Sequence, residues 1–341
     1  MNTYTVLELC GDGISSELAR SVRALATSLP IEIEFRSIDI SLGNRNKVGN
    51  VIYDEIMDSV HELGVVMKYP TATEGESPNR VLRDRCAFQV IHRPVMTFEG
   101  VQTNFTRNLD LDVVRVATGG TYMDRGRRIG SESAVSLRII ERGPSIQAAR
   151  FAFDLATTLD ANVVSTSKYT IQKEADGLFE ECVEEISKNY PTIEYRRELF
   201  DALLGGIILN PDRYRVVVCP NEYGDFLSDM ACGLIGSIGL GDSASYALNK
   251  QGKVEVAMFD PSGGTAPDIA GKNLCNPTAA LLAFSSLLRH LGEIDTAKVV
   301  RRSIKESIAQ GDKTRDIGGS MNTDEFTKAV CERVAAQLAP A

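Results

Sequence analysis

Val216-Val217-Val218-Cys219-Pro220-Asn221-Glu222-Tyr223-Gly224-Asp225-Phe226-Leu227-Ser228-Asp229 passes from an apolar run, through Pro-Asn, to two aspartates four positions apart. The apolar run predicts a buried strand over 215–219. If Asp225 begins a helix, Asp225 and Asp229 project from one face about one turn apart. In α/β sheets, ligands collect at the carboxyl ends of strands, which is where this pair would stand. Two hard oxygen ligands at that spacing suit Mg²⁺ or Mn²⁺. The plainer reading is that acids at a helix start complement the helix dipole, and a lone pair of this spacing is more often a solvated face. The next stretch, Ala231-Cys232-Gly233-Leu234-Ile235-Gly236-Ser237-Ile238-Gly239-Leu240-Gly241, is small and glycine-rich, which permits close backbone approach.

The same strand–turn–helix order opens the chain. Thr5–Leu9 reads as a strand, Gly11-Asp12-Gly13 as its turn, and 15–29 as a helix with Leu18, Val22 and Leu25 at helical spacing. Further strands are predicted at 113–116, 162–166 and 254–259. Helices are predicted at 145–159, with Ile146, Ala149, Phe153 and Ala156 on one face, and at 179–188, with Cys182 and Ile186 inward. Strands alternating with helices give an α/β class. At 341 residues the chain has room for two domains. No Pro/Gly/Ser linker separates them, so they would be interwoven rather than strung in series.

The net charge of −9 argues against non-specific nucleic-acid binding, which needs a basic surface, although arginines gathered in a cleft could still take an anion. Seven scattered cysteines without a CxxC pair read as reduced thiols, and three histidines argue against a His/Cys zinc site. Residues 1–10 lack the long apolar core of a signal peptide, and no apolar run reaches membrane-spanning length. A cytoplasmic location without a membrane partner is therefore expected.

Four stretches, in this order, resemble the isocitrate/isopropylmalate dehydrogenase family of β-decarboxylating dehydrogenases. They are Gly11-Asp12-Gly13-Ile14; Pro220–Asp229 with Gly233–Gly241; Phe259-Asp260-Pro261-Ser262-Gly263-Gly264-Thr265-Ala266-Pro267-Asp268-Ile269-Ala270-Gly271-Lys272 followed by Asn276-Pro277-Thr278-Ala279-Ala280; and Thr314-Arg315-Asp316-Ile317-Gly318-Gly319. Together they cover essentially the whole chain. The resemblance implies an isopropylmalate-dehydrogenase-like two-domain α/β fold with a central mixed sheet flanked by helices, not a Rossmann fold. No GxGxxG fingerprint is visible, in keeping with that. It also implies a large cofactor-binding domain over 1–90 plus 236–341, and a small domain over 91–235 carrying the dimer interface, metal and catalytic residues.

Roles follow by the same resemblance. Asp225 and Asp229 match two metal ligands and Asp201 the third, which in the family reaches in from the neighbouring subunit. Arg83 (in Leu82-Arg83), Arg93 (in Arg93-Pro94) and Arg115 match the arginines that hold the substrate carboxylates, a task suited to planar guanidinium donors. Tyr122 matches the proton donor. Lys168 matches the catalytic lysine, also donated across the dimer; burial and a nearby cation make such an amine easier to deprotonate. The implied reaction oxidises a 2-hydroxyl, passes hydride to NAD⁺, releases CO₂ and protonates the carbon left behind. Taken singly, these residues would read as surface arginines, a core-edge tyrosine and a solvated lysine.

Asp268, in Ala266-Pro267-Asp268-Ile269-Ala270-Gly271, favours NAD, because a carboxylate accepts hydrogen bonds from ribose hydroxyls and repels a 2′-phosphate. Ile14, Gly264, Thr265, Ala266, Ile269 and Asn276 complete the implied cofactor site, Asn276 near the adenine and Thr73 near the nicotinamide. Substrate choice falls on Ser77-Pro78-Asn79-Arg80-Val81-Leu82-Arg83. Ser77 and Asn79 match residues that bond a third carboxylate in isocitrate users. Arg80 stands where isopropylmalate users carry an apolar side chain, and a half-buried cation there would favour an anion over an isopropyl group; the alternative is that Arg80 turns to solvent.

The expected substrate is a small hydroxy acid, a malate whose 3-substituent ends in a carboxylate (isocitrate, homoisocitrate) or a phosphonate. 3-Isopropylmalate, tartrate or malate is the alternative. Departures from the family pattern are Thr170 for an asparagine and Gly263 for a histidine. The expected state is a homodimer with shared active sites; the competing expectation is a non-catalytic regulatory subunit of a hetero-oligomeric isocitrate dehydrogenase. Tyr122, Lys168, Asp201, Asp225 and Asp229 are all present, which favours the enzyme.

Overall fold

The computed structural model describes residues 2–339, so the outermost residues of the expected large domain, Met1, Pro340 and Ala341, lie outside it. Its strands are β1 (Thr3–Cys10), β2 (Glu32–Asp39), β3 (Val65–Lys68), β4 (Val90–Met96), β5 (Asp110–Val116), β6 (Arg127–Ile129), β7 (Ser133–Val135), β8 (Val163–Ser167), β9 (Tyr195–Leu199), β10 (Val216–Cys219), β11 (Asp242–Leu248) and β12 (Val254–Pro261). Its helices are α1 (Ser15–Ala26), α2 (Leu42–Val48), α3 (Val51–Leu63), α4 (Pro78–Arg85), α5 (Arg142–Leu159), α6 (Ala175–Ser187), α7 (Phe200–Leu209), α8 (Asn221–Leu234), α9 (Thr278–His290), α10 (Ile294–Ala309) and α11 (Thr323–Leu338).

Ten strands form one sheet in the order β2-β1-β3-β12-β11-β4-β5-β10-β8-β9. Both ends are parallel, while the middle, β12-β11-β4-β5, is antiparallel. This is the expected mixed α/β sheet, and it differs from the all-parallel Rossmann order. The 1–90 plus 236–341 and 91–235 segments meet between β11 and β4, which are hydrogen-bonded neighbours. The chain crosses that middle twice, between β3 and β4 and between α8 and β11.

Alternation along the strands builds the layers. On β1, Val6 faces a core shared with α1, α9, α10 and α11, whereas Leu7 and Leu9 face one with Ile52, Ile56 and Val60 of α3. On β10, Val217 and Cys219 face the first core with Leu203, Ile207, Leu227 and Ala231. Val216 and Val218 face a third core with Ala149, Ala152, Phe153 and Ala156 of α5 and Phe179, Val183 and Ile186 of α6. Strands buried on both faces need helices on both. Asn322 and Glu325 form a reciprocal capping box that starts α11. Among the described residues, no helix is long and apolar enough to cross a membrane.

Candidate active site

β5 and β10 pair in parallel, and β10 leads through Pro220 directly into α8. That helix starts at Asn221, a full turn before Asp225, because Pro220 sets the entry and Glu222 takes the first turn. Asp225 and Asp229 therefore sit beyond the reach of the helix N-terminus, and dipole complementation does not account for them.

What holds them is cationic. Arg115 Nη1 pairs with Asp225 Oδ1. Arg93 Nη1 lies 3.2 Å from Asp225 Oδ1 and 3.5 Å from Asp229 Oδ1, and donates to Ser228 Oγ at 2.7 Å. Tyr122 Oη donates to Asp225 Oδ2 at 3.1 Å. The buried Arg115 is oriented in turn: its Nε donates to Asn221 Oδ1 at 2.8 Å, and Asn221 Nδ2 donates to the Gly119 carbonyl at 3.1 Å. Gly224 makes the approach possible, since a Cβ there would lie 2.6 Å from the Cβ of Arg115.

Burial pushes the Asp225 carboxyl up, but the charges of Arg115 and Arg93 and the bonds from Tyr122 and Arg115 outweigh it and leave the group below the usual carboxylate range. Burial, with Arg83 and Arg93 close by, lowers Arg115 to about 9. Burial and Arg93 also lower Arg83. Tyr122 is raised by burial and by Asp225, so the phenol keeps its proton at neutral pH.

A cavity of about 220 Å³ adjoins this cluster, lined among others by Lys68, Thr71, Asn79, Arg83, Arg93, Ser243, Ser245 and Asp260. Thr71 Oγ1, Asn79 Oδ1, Arg93 Nε and Asp260 Oδ1 are buried on its walls without a hydrogen-bond partner. Buried polar atoms are normally paired, so four orphans on one cavity mark where a polar ligand completes them. Lys68, fully buried, donates to the Tyr69 carbonyl at 3.1 Å; burial depresses its pKa against the opposing pull of Asp260.

The structure brings Asn79, Arg83 and Arg93 to the cavity, with Arg115 behind them, but not Arg80 or Ser77. Asn79 and Arg83 share one face of α4, while Arg80 is on the next stripe and pairs with Asp84 at 3.7 Å, its side chain 38% exposed. Arg80 thus lies outside the cavity lining, the placement expected of the alternative in which it turns to solvent. Ser77 caps α4 without a side-chain bond, and Thr73 is exposed.

The implied cofactor segments do meet. The Ile14 amide donates to the Thr265 carbonyl at 3.0 Å. Buried Glu17 accepts from the amides of Gly271 (2.8 Å) and Asn273 (2.7 Å), fastening the 262–276 loop to α1. On that loop Gly264 and Asp268 are exposed, Ile269 packs against the core, and Ala266 has φ 39°, a left-handed conformation that non-glycine residues adopt at a cost. Asn276 Nδ2 donates to Asp316 at 3.0 Å, joining the fourth motif to the third. Gly263 opens onto empty space.

Lys168 and Asp201 form a separate pair, Nζ to Oδ1 at 2.5 Å, with side chains 34% and 68% exposed. Lys168 is thus not buried within one chain, and no ion pair joins this pair to Asp225. Among the described residues, no three His, Cys, Asp or Glu side chains converge as a metal site. Asp225 and Asp229 nevertheless fit a divalent cation: both carboxylates converge on one positive atom, Arg93 Nη1, and both are hard oxygen donors. Asp201 would have to come from elsewhere.

Reading the sequence missed Lys68, Asp260, Glu222, Arg138 and Asp176. Lys68 had a signal, a cation ending the apolar run Val65-Val66-Met67 at a strand's carboxyl end. The other four are two buried acids (Glu222, Asp176), the half-buried Asp260 and a loop arginine, without spacing of their own.

The family model for isocitrate/isopropylmalate dehydrogenase matches residues 4–330. The NAD isocitrate dehydrogenase subunit 2 of Kluyveromyces lactis is 36% identical over 97% of this chain and 90% of its own length. A regulatory NAD isocitrate dehydrogenase subunit of Dictyostelium discoideum is 33% identical over 96% and 91%. The crystal structure of isocitrate dehydrogenase from Methylococcus capsulatus superposes with a TM-score of 0.88 at 30% identity, over 97% of this chain and 99% of that one.

Proposed function

This chain belongs to the isocitrate/isopropylmalate dehydrogenase family, and from that premise we propose that it is an NAD-dependent oxidoreductase that oxidatively decarboxylates a malate bearing an anionic 3-substituent, isocitrate or homoisocitrate, or a phosphonate counterpart. The observation that carries the substrate class is the cationic cavity: Lys68, Arg83 and Arg93 line it beside the Asp225–Asp229 pair. An isopropyl branch would leave the Lys68 ammonium without a counter-charge and the buried Arg93 Nε without an acceptor in the bound state, a penalty that an anionic branch removes.

Asp225 and Asp229, with Asp201 of a second subunit, would hold the Mg²⁺ or Mn²⁺, and the loop of Gly264, Thr265, Ala266, Asp268 and Ile269, with Ile14, Asn276 and Thr73, would hold NAD. Bound there, a divalent metal would supply Lewis-acid polarisation of the substrate oxygens and NAD⁺ would supply the hydride acceptor. The chain supplies the rest. Arg83, Arg93, Arg115 and Lys68 fix the carboxylates, Lys168 takes the hydroxyl proton, and Tyr122, which keeps its phenol proton, gives one to the carbon that loses CO₂.

The active unit in this reading is a homodimer. Ile208 and Leu209 of α7, Phe226 of α8, Ile171, and Leu137 and Ile139 beyond β7 are exposed apolar side chains, a pattern suited to a second copy. The 1–90 plus 236–341 and 91–235 segments would act as two domains around the cavity. A cytoplasmic site is also part of the reading; free cysteines suit any reducing compartment, and the yeast relative is named mitochondrial, so cell fractionation decides.

The test is purified chain with Mg²⁺ or Mn²⁺, NAD⁺ and a panel of isocitrate, homoisocitrate, 3-isopropylmalate, malate, tartrate and a phosphonate analogue. NADH formation with a tricarboxylate or phosphonate is expected. Preference for 3-isopropylmalate would contradict the substrate class. The likeness to a regulatory subunit favours a second reading, a non-catalytic subunit, which predicts no turnover by the chain alone.

A further inference from the structure

Arg138 lies between β7 and α5, one residue before Ile139, which bridges Gly120 through two backbone hydrogen bonds (2.6 and 3.1 Å). Its nearly buried guanidinium is shared by two buried carboxylates. It pairs with Glu222, and its Nε donates to Asp176 Oδ1 at 2.9 Å. Each carboxylate also grips the backbone of a segment carrying a proposed acid or base. Glu222 Oε1 accepts from the amide of Thr121, beside Tyr122, at 3.1 Å. Asp176 Oδ2 accepts from the amide of Lys168 at 2.7 Å.

A second route runs through the aromatic side chains. The guanidinium sits over the Tyr223 ring at 4.7 Å, and Tyr223 donates to Asp176 at 3.3 Å. Tyr223 stacks on Phe200 at 4.6 Å, and Phe200 precedes Asp201, the partner of Lys168. On the other side, Gly120 has φ 69° and stands so close to Glu222 that a Cβ would overlap the carboxylate. Without the guanidinium between them, the two buried carboxylates would have no cation to offset their burial.

We infer that Arg138 is a positioning residue that, through Glu222 and Asp176, holds the Tyr122 turn and the Lys168 loop in one fixed relation. The inference rests on the proposed reading in which these two side chains serve as acid and base. In a dimer with shared sites, one guanidinium would then align the acid of one site with the base lent to the other.

Arg138→Lys keeps the charge but loses the fork that spans both carboxylates. In the full-length protein, hydrogen exchange should rise together in peptides covering 118–124 and 166–172, with α9 and the melting temperature little changed. kcat should fall about tenfold to hundredfold with KM nearly constant, as misplacement without lost substrate contact requires. Glu222→Gln should loosen only the first peptide and Asp176→Asn only the second, and this pair carries the test if Arg138→Lys does not fold. Unchanged exchange in both peptides, or loosening spread evenly through the protein, overturns the inference. Exchange needs no turnover, so an inactive wild type would sink the functional reading while leaving this test intact.

Discussion

The Tyr122–Asp225 cluster and the Lys168–Asp201 pair carry similar chemistry, a proton-bearing group beside a carboxylate, yet the fold treats them in opposite ways. Asp225 is locked by Arg93, Arg115 and Tyr122 over a buried arginine that Asn221 orients. The Lys168 ammonium pairs with Asp201, whose carboxylate is otherwise held by backbone amides at the start of α7 and is two-thirds exposed. Solvent screens an exposed ion pair of that kind, so it adds little to stability. The first cluster is thus organised within one chain, and the second stands exposed, as the proposed shared site requires. The dimer is in this account a requirement of the chemistry.

Removing either half should be the costliest change. Asp225→Asn and Lys168→Met should each lower kcat by about 10³-fold or more, measured as NADH formation with the best substrate of the panel. Their effects on folding should differ: Lys168→Met should leave the melting temperature nearly unchanged, whereas Asp225→Asn should lower it, because buried Arg115 loses its counter-charge and Arg93 keeps only Asp229. Equal thermal shifts would erase the contrast between the regions.

Tyr122→Phe comes next. It removes the proton that the proposed mechanism has Tyr122 donate and leaves the ring over Arg115 (5.9 Å to the guanidinium carbon), so kcat should fall about 10²–10³-fold with little loss of binding. Lys68→Met is smaller and has opposite signs in its two readouts. For substrates with a third anionic group, KM should rise about tenfold or more, the worth of one charge-assisted hydrogen bond. Stability of the ligand-free protein should rise. Burial lowers the Lys68 pKa in the folded state, so between that value and the ordinary lysine value the unfolded chain binds more protons, and protonation penalises folding there. The substitution should raise the melting temperature by about 1–3 °C at neutral pH, a gain that shrinks as pH increases. Arg80→Leu should be the mildest, changing KM by less than about twofold, as expected for an exposed i,i+4 pair. A large loss restricted to anionic substrates would return Arg80 to the site.

Much of the fold could be read from periodicity. Helical spacing gave α1, α5 and α6, and apolar runs gave β1, β5, β8, β10 and β12. The antiparallel middle of the sheet was not legible. β11 is Asp-Ser-Ala-Ser-Tyr-Ala-Leu, with no β-branched residue to mark it, and β4 contains Pro94. That proline is tolerated because β11 pairs with β4 only at Val90, Ile91 and His92, before the missing amide matters. At the site, Asp225, Asp229, Arg83, Arg93 and Tyr122 followed from motifs whose residues the fold then gathers. Lys68, Arg138 and Asp176 did not, because their importance comes from what lies opposite them across distant segments. The placement of Arg80 was not legible for a local reason: spacing identifies a helix but not which of two adjacent stripes lines the cavity.

The central claim, that one chain supplies only half of each site, is tested most directly by mixing two inactive variants. Asp225→Asn and Lys168→Met homodimers would be unfolded together and refolded at equal ratio. Each mixed dimer then has one site with both defects and one with none. Half the dimers are mixed and half their sites intact, so about a quarter of wild-type activity should return. Activity that stays at the level of the separate variants would show that Lys168 serves its own chain's Asp225, and would contradict the account.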